Sequence, residues 1–202
     1  MRVTRIRIVT TLITVLAAMG SHAATISDVA LIRITSQNND WLQIAEVIAS
    51  DVMGNDLALT SAGATTNSSG IGFNGVEANA VNGIAPGFCG GAGVCSPEAP
   101  SLGEGIFHSG SNSGAFFEIL LASPAEIFNL TIFGRADSFN SRDIYIVELF
   151  DINGNSLFLA GDQNAVNDEQ RVDVLLNAVP VPAAVWMFAS ALGLLGWMRK
   201  KP

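Results

Sequence analysis

The central part of this 202-residue chain is short of cations, of histidine and of cysteine, and each shortage excludes something. Of ten basic residues, Arg2, Arg5 and Arg7 lie in the first seven positions and Arg199, Lys200 and Lys201 in the last four. Residues 25 to 179 hold four arginines (Arg33, Arg135, Arg142 and Arg171), no lysine and eighteen carboxylates, a formal charge of −14 against −8 for the whole chain. A surface this acidic repels phosphates, which excludes nucleic acid as a partner. Without a lysine there is no Schiff-base chemistry, and once His22 is set aside with the N-terminal segment, His108 alone cannot build a multi-histidine zinc site. Two cysteines are too few for a disulfide framework. Phe107-His108-Ser109-Gly110-Ser111 is not the Gly-x-Ser-x-Gly elbow of a serine hydrolase, and no spacing singles out a carboxylate pair for glycoside hydrolysis. The chain therefore reads as a non-enzyme.

What is present begins with two address-like ends. Met1 to Arg7 is cationic, Ile8 to Met19 is apolar but diluted by threonines, and Ser21-His22-Ala23 offers small residues where a signal peptidase reads. Residues 1–23 are expected to be a secretory signal peptide, cut by signal peptidase after Ala23 or Ala24. The apolar run is too short to cross about 30 Å of hydrocarbon. At the other end, Val179-Pro180-Val181-Pro182-Ala183 precedes an uncharged apolar stretch to Met198 and then Arg199-Lys200-Lys201. Counted from Val181 this stretch is eighteen residues, enough for a spanning helix, with Trp186 and Trp197 near the two interfaces. The basic cluster stays cytoplasmic, which places the acidic body outside the cytoplasm.

Residues 179–202 resemble the bacterial PEP-CTERM sorting signal in its Val-Pro-Leu-Pro-Ala form, with Val181 in place of leucine. The resemblance implies an exosortase-like membrane protease as partner and a cut near the Pro motif. It also implies a Gram-negative host making extracellular polysaccharide: the chain is held transiently in the inner membrane, then sits at the cell surface or in the matrix. An ordinary tail anchor is the plainer alternative, and it has no need of the double proline.

The body, residues 25–178, is long enough for one domain with a sizeable core. Its runs alternate with a period of two: Phe128, Leu130 and Ile132; Tyr145, Val147 and Leu149; Val172, Val174 and Leu176. Separated by Gly, Asn, Asp and Pro clusters, such runs predict an all-β fold, an antiparallel β-sandwich or jelly roll. Asn153-Gly154 between two apolar runs predicts a hairpin. Asp151, Asn153, Asn155 and Asp162 can be forced onto a calcium-hand loop, but the position that needs glycine is Ser156 and no helical pattern flanks it. Residues 60 to 114 are rich in Gly, Ser, Asn and Ala and read as loop. Within them Cys89 and Cys95 are expected, in an oxidising periplasm, to close a local disulfide around glycines rather than to bind metal, since two thiols supply half a zinc shell.

Trp41-Leu42-Gln43-Ile44-Ala45-Glu46-Val47, Gly54-Asn55, Ala58-Leu59, Ser68-Ser69, Ala80-Val81-Asn82-Gly83, Phe107-His108-Ser109 and Phe116-Phe117-Glu118-Ile119-Leu120-Leu121 follow one another in the order seen in discoidin-like, galactose-binding-type jelly rolls. Within that superfamily, His108 followed by Arg135-Ala136-Asp137 and, after four residues, Arg142 resembles the motif of F-type, fucose-binding lectins. The resemblance implies a sugar site of His108, Arg135, Asp137 and Arg142, with fixed donors for sugar hydroxyls. The family's adjacent Cys-Cys pair is absent, and Phe139 is offered as its apolar substitute. The same residues serve equally as ion-paired braces between loops. The resemblance also allows calcium at the Asn82 loop, with Asp51, Asp56 and Glu77 nearby in sequence, although Asn82 lacks the family's charge. The expectation is an exported carbohydrate-binding module for fucose- or galactose-like sugars, or a structural or adhesion protein of the polysaccharide matrix without a working sugar site.

Overall fold

The structure is a computed structural model that describes residues 25–73, 75–84, 105–135, 140–166 and 170–176. The signal-peptide segment 1–23, Cys89, Cys95 and the sorting segment 179–202 lie outside the described residues. Among the described residues there are ten strands: β1 (Ile26–Ser36), β2 (Gln43–Ile44), β3 (Glu46–Ser50), β4 (Thr65–Ser68), β5 (Phe107–His108), β6 (Phe116–Ile127), β7 (Asn129–Phe133), β8 (Ile144–Phe150), β9 (Ser156–Asn164) and β10 (Arg171–Val174). Every pairing is antiparallel. Helix among the described residues is limited to 3₁₀ turns at Thr60–Ala62, Glu77–Val81 and Asn140–Arg142. The fold is all-β.

The strands form a five-stranded sheet in the order β4-β6-β1-β8-β9, a three-stranded sheet β10-β7-β3 and a small β2-β5 pair. Alternation explains why they share one core. Tyr145, Val147 and Leu149 of β8 are buried while their neighbours are half-exposed, as the period of two predicts. On β1 the same rule buries Ile32 and Ile34 against Val47, Leu130 and Ile132 of the other sheet in one apolar cluster. Arg33 points to the outer face, where its Nε donates to Glu118 Oε1 on β6 at 2.7 Å and its guanidinium lies 5.3 Å from the Phe150 ring. Directly opposed residues of unlike charge stabilise a strand pair.

The run from Ile127 to Phe133, which the sequence pattern reads as one strand, is two. β6 ends at Ile127 in the five-stranded sheet and β7 starts at Asn129 in the three-stranded one, so Phe128 alone carries the chain across. Its N–H donates to Ser50 O at 2.8 Å and its ring is 40% exposed, off the face that Leu130 and Ile132 bury. The corner interrupts the alternation because the two strands face the core from opposite sheets.

Two turns of identical construction lie at one end of the molecule. In Asp51-Val52-Met53-Gly54-Asn55, Asp51 Oδ1 accepts the N–H groups of Met53 and Asn55, and Asn55 Nδ2 donates to Asp51 Oδ2 at 2.8 Å. Asp151-Ile152-Asn153-Gly154-Asn155 repeats each bond, with Nδ2 of Asn155 at 2.7 Å from Asp151 Oδ2. Gly54 and Gly154 have φ of 85° and 81°, a left-handed conformation that glycine adopts without steric cost. The second turn is the hairpin that Asn153-Gly154 predicts. Both carboxylates cap their own turns.

The Asn side chains, and after them the turn N–H groups, hold the carboxyls of Asp51 and Asp151 below the usual range. A depressed pKa contributes stability above the unfolded value that is lost as pH falls through the folded one. We expect Asp51→Ala and Asp151→Ala each to lower Tm at neutral pH, and the double variant to show a shallower acid limb below about pH 4. Thermal unfolding across a pH series measures both.

Candidate functional site

The opposite end carries the residues that the lectin-like motif singles out. β7 ends at Phe133, and Gly134 and Arg135 lead into the connection to β8. Asp143, just before β8, is fully buried, and its Oδ2 accepts the backbone N–H of Arg135 at 2.5 Å. Gly134 makes this possible: a Cβ there would stand 2.5 Å from Asp143 Oδ2 and 2.9 Å from its Cβ. Arg135 itself is 5% exposed.

A chain of polar contacts runs inward from Asp143. The Tyr145 hydroxyl, fully buried, donates to Gln43 O at 2.7 Å. Burial, and then the charge and hydrogen bonding of Asp143, push its pKa well above the ordinary phenol value. Gln43 Nε2 lies 3.0 Å from His108 Nε2, and His108 Nδ1 lies 2.9 Å from Ser109 O. A carbonyl can only accept, so Nδ1 carries the proton and Nε2 accepts from the Gln43 amide. Ser109 Oγ in turn accepts the Leu42 N–H at 2.9 Å and donates to Ser111 O at 2.7 Å.

The His108 ring is 2% exposed and sits under two aromatic side chains. Its centroid is 4.6 Å from that of Phe73 and 5.5 Å from that of Trp41, and these two meet edge-on at 5.1 Å. Phe73, at φ 51°, is 62% exposed, while Trp41 is half-buried. Beside them, Arg142 Nε lies 3.6 Å from Asp40 Oδ2, both side chains about one-third exposed. Asp40 Oδ1 accepts the Trp41 N–H at 2.7 Å, which ties the ion pair to the aromatic group.

His108, Arg135 and Arg142 thus lie at one end of the fold, in different settings. His108 and Arg135 are buried among partners, and Arg142 reaches solvent. Asp137 and Phe139 lie outside the described residues. Sequence reasoning did not assign Trp41, Phe73, Asp40, Gln43, Asp143 or Tyr145 to the site. Residues 42 to 47 are buried without a break, so no alternation marks Trp41 or Gln43 in the sequence. A hollow of about 350 Å³ lined by Arg33, Thr35, Asn39 and Phe116 opens nearby on the outer face of the five-stranded sheet, away from His108.

The Asn82 loop is built around a carboxylate. Glu46 is fully buried, its Oε2 accepts the N–H groups of Gly83 and Ile84 at 3.2 Å each, and its Oε1 has no hydrogen-bond partner among the described residues. Asn82 Oδ1 accepts the Ile84 N–H at 2.8 Å. Asp56 accepts the N–H groups of Ala49 and Ala58, and Glu77 accepts the hydroxyls of Thr66 and Ser68. Calcium takes six to eight oxygens. Among the described residues no group of three or more acids, histidines or cysteines is placed to hold a metal ion. This loop directs N–H donors at Glu46.

Burial pushes the Glu46 carboxyl up to about 7, with the charge of Asp56 adding and the loop N–H groups opposing. The folded protein therefore keeps a proton that the unfolded chain releases near 4.5. Stability is complete below the unfolded value and falls as pH rises toward about 7, by at most about 3 kcal/mol. Glu46→Gln should abolish that decline, measured as Tm between about pH 5 and about pH 8. Gly134→Ala should cost about 1–3 kcal/mol by forcing Asp143 off the Arg135 N–H, measured by denaturant unfolding.

No protein-family model, curated protein or solved structure matches this chain.

Proposed function

We propose that the chain is an exported, non-catalytic glycan-binding module of a Gram-negative bacterium, a discoidin-like jelly roll delivered by a signal peptide at 1–23 and a PEP-CTERM-type segment at 179–202. One observation carries it. The strand bearing His108 and the connection bearing Arg135 and Arg142 reach the same end, where Trp41 and Phe73 border the solvent-reaching Arg142–Asp40 pair. A sugar ring offers hydroxyls on its rim and an apolar face. A guanidinium and a carboxylate answer the hydroxyls, and an exposed aromatic ring answers the face. In this reading Arg142, Asp40 and Phe73 touch the sugar, while His108 and Arg135 hold the end in shape from beneath. Asp137 and Phe139 belong to the same connection in sequence. The ligands are fucose- or galactose-like sugars of the surrounding polysaccharide, and an exosortase-like protease acts on the tail.

The burial of His108 and Arg135 favours a second reading, a structural or adhesion protein of the matrix in which the whole motif is a brace. A glycan array of the purified protein separates the two. The first reading expects binding that Arg142→Ala or Phe73→Ala weakens at least about tenfold with Tm little changed, and that Arg135→Ala removes together with stability. Silence across the array, or binding indifferent to Arg142→Ala and Phe73→Ala, would overturn it in favour of the second.

A further inference from the structure

The end of the molecule away from His108 gathers exposed apolar side chains from four separate stretches of chain. The twin turns expose Val52 (68%), Met53 (83%) and Ile152 (68%) at their tips. Phe128 projects from the corner between the sheets, and Leu175 is 76% exposed just past β10. The strand registers put these together. Ser50 pairs with Asn129, Ile26 with Ile127 and Leu31 with Phe150, and β10 runs from Arg171 opposite Phe133 to Val174 opposite Leu130. The described chain therefore ends, at Leu176, on this side of the body.

Charge narrows what can cover these tips. Asp51 and Asp151 remain ionised within the turns, and the body is strongly acidic. An anionic lipid surface or an acidic protein would be repelled, and two copies meeting tip to tip would bring four carboxylates together. An uncharged apolar interface is not penalised in this way.

The sequence supplies such an interface at short range. Four residues separate Leu176 from Val181, where the eighteen-residue apolar stretch begins, and the five Cα–Cα steps span at most about 18 Å when fully extended. A short tether turns weak contacts into intramolecular ones at high effective concentration. We infer that, while the C-terminal segment is in the membrane, this end of the body rests on the bilayer, with Val52, Met53, Ile152 and Leu175 at the interface of a zwitterionic leaflet. The end with Arg142 and Phe73 then faces away from the membrane, toward whatever the protein recognises. This inference rests on the membrane anchoring in the proposed function.

The test uses the full chain reconstituted in phosphatidylcholine vesicles whose acyl chains carry bromine, a short-range quencher of tryptophan. Ile152→Trp and Met53→Trp report on the proposed foot, and Val166→Trp reports on the opposite end. The tryptophan added at 152 or 53 should lose about twofold or more of its emission to the brominated lipid, as for side chains seated at the headgroup–acyl boundary, and the one added at 166 should lose none. Quenching of the unmodified chain through Trp186 and Trp197, with none added at 152 or 53, would overturn the inference and leave the anchoring intact. Equal quenching at 152 and 166 would overturn it as well. An unmodified chain that shows no quenching would overturn the anchoring itself, and the inference with it.

Discussion

The buried carboxylate of Asp143 is the contact on which the site-bearing end depends. It accepts the Arg135 N–H where β7 gives out, presses against Gly134 and adds to the burial that raises the pKa of the Tyr145 hydroxyl, which itself reaches back to Gln43. Gln43 then donates to His108 Nε2, the tautomer being fixed by the Ser109 carbonyl at Nδ1. A buried acid costs free energy unless it is hydrogen-bonded, and each link here is of that kind. The result is a stiff polar spine between the two sheets, carrying Arg142, Asp40 and the aromatic rings at its outer edge.

The scarcity of cations shapes the rest of the body in the same way. With eighteen carboxylates and four arginines between residues 25 and 179, ion pairs cannot satisfy most of the acids. Backbone N–H groups do so instead: Asp51 and Asp151 in their turns, Asp56 at Ala49 and Ala58, Glu46 at Gly83 and Ile84. Carboxylates used as caps stiffen loops locally. Two of the arginines make longer connections, Arg33 to Glu118 across two strands and Arg142 to Asp40 between the β7–β8 connection and the approach to β2, while Arg171 pairs locally with Asp173.

How much of this was legible follows from what each feature depends on. The faces of β8 and β10 and the second twin turn depend on neighbours in sequence, and the alternation of Tyr145, Val147 and Leu149 and the Asn153-Gly154 pair announced them. The break at Phe128 depends on which sheet each half-run joins, which a local pattern does not contain. The setting of His108 depends on Gln43, Trp41 and Phe73, all more than thirty residues away. The resemblance to a lectin motif selected His108, Arg135 and Arg142 together. Whether a side chain faces solvent or the core was decided by residues that the motif does not include.

The central position of β1 has a kinetic consequence. The first strand of the body is hydrogen-bonded to β6 and β8, whose residues lie about 80 to 120 positions later in the chain. It cannot enter its sheet until most of the polypeptide has been made, so the search is long-range and slow. The segment made first finds no early partner and closes the sheet only after the far half has been made.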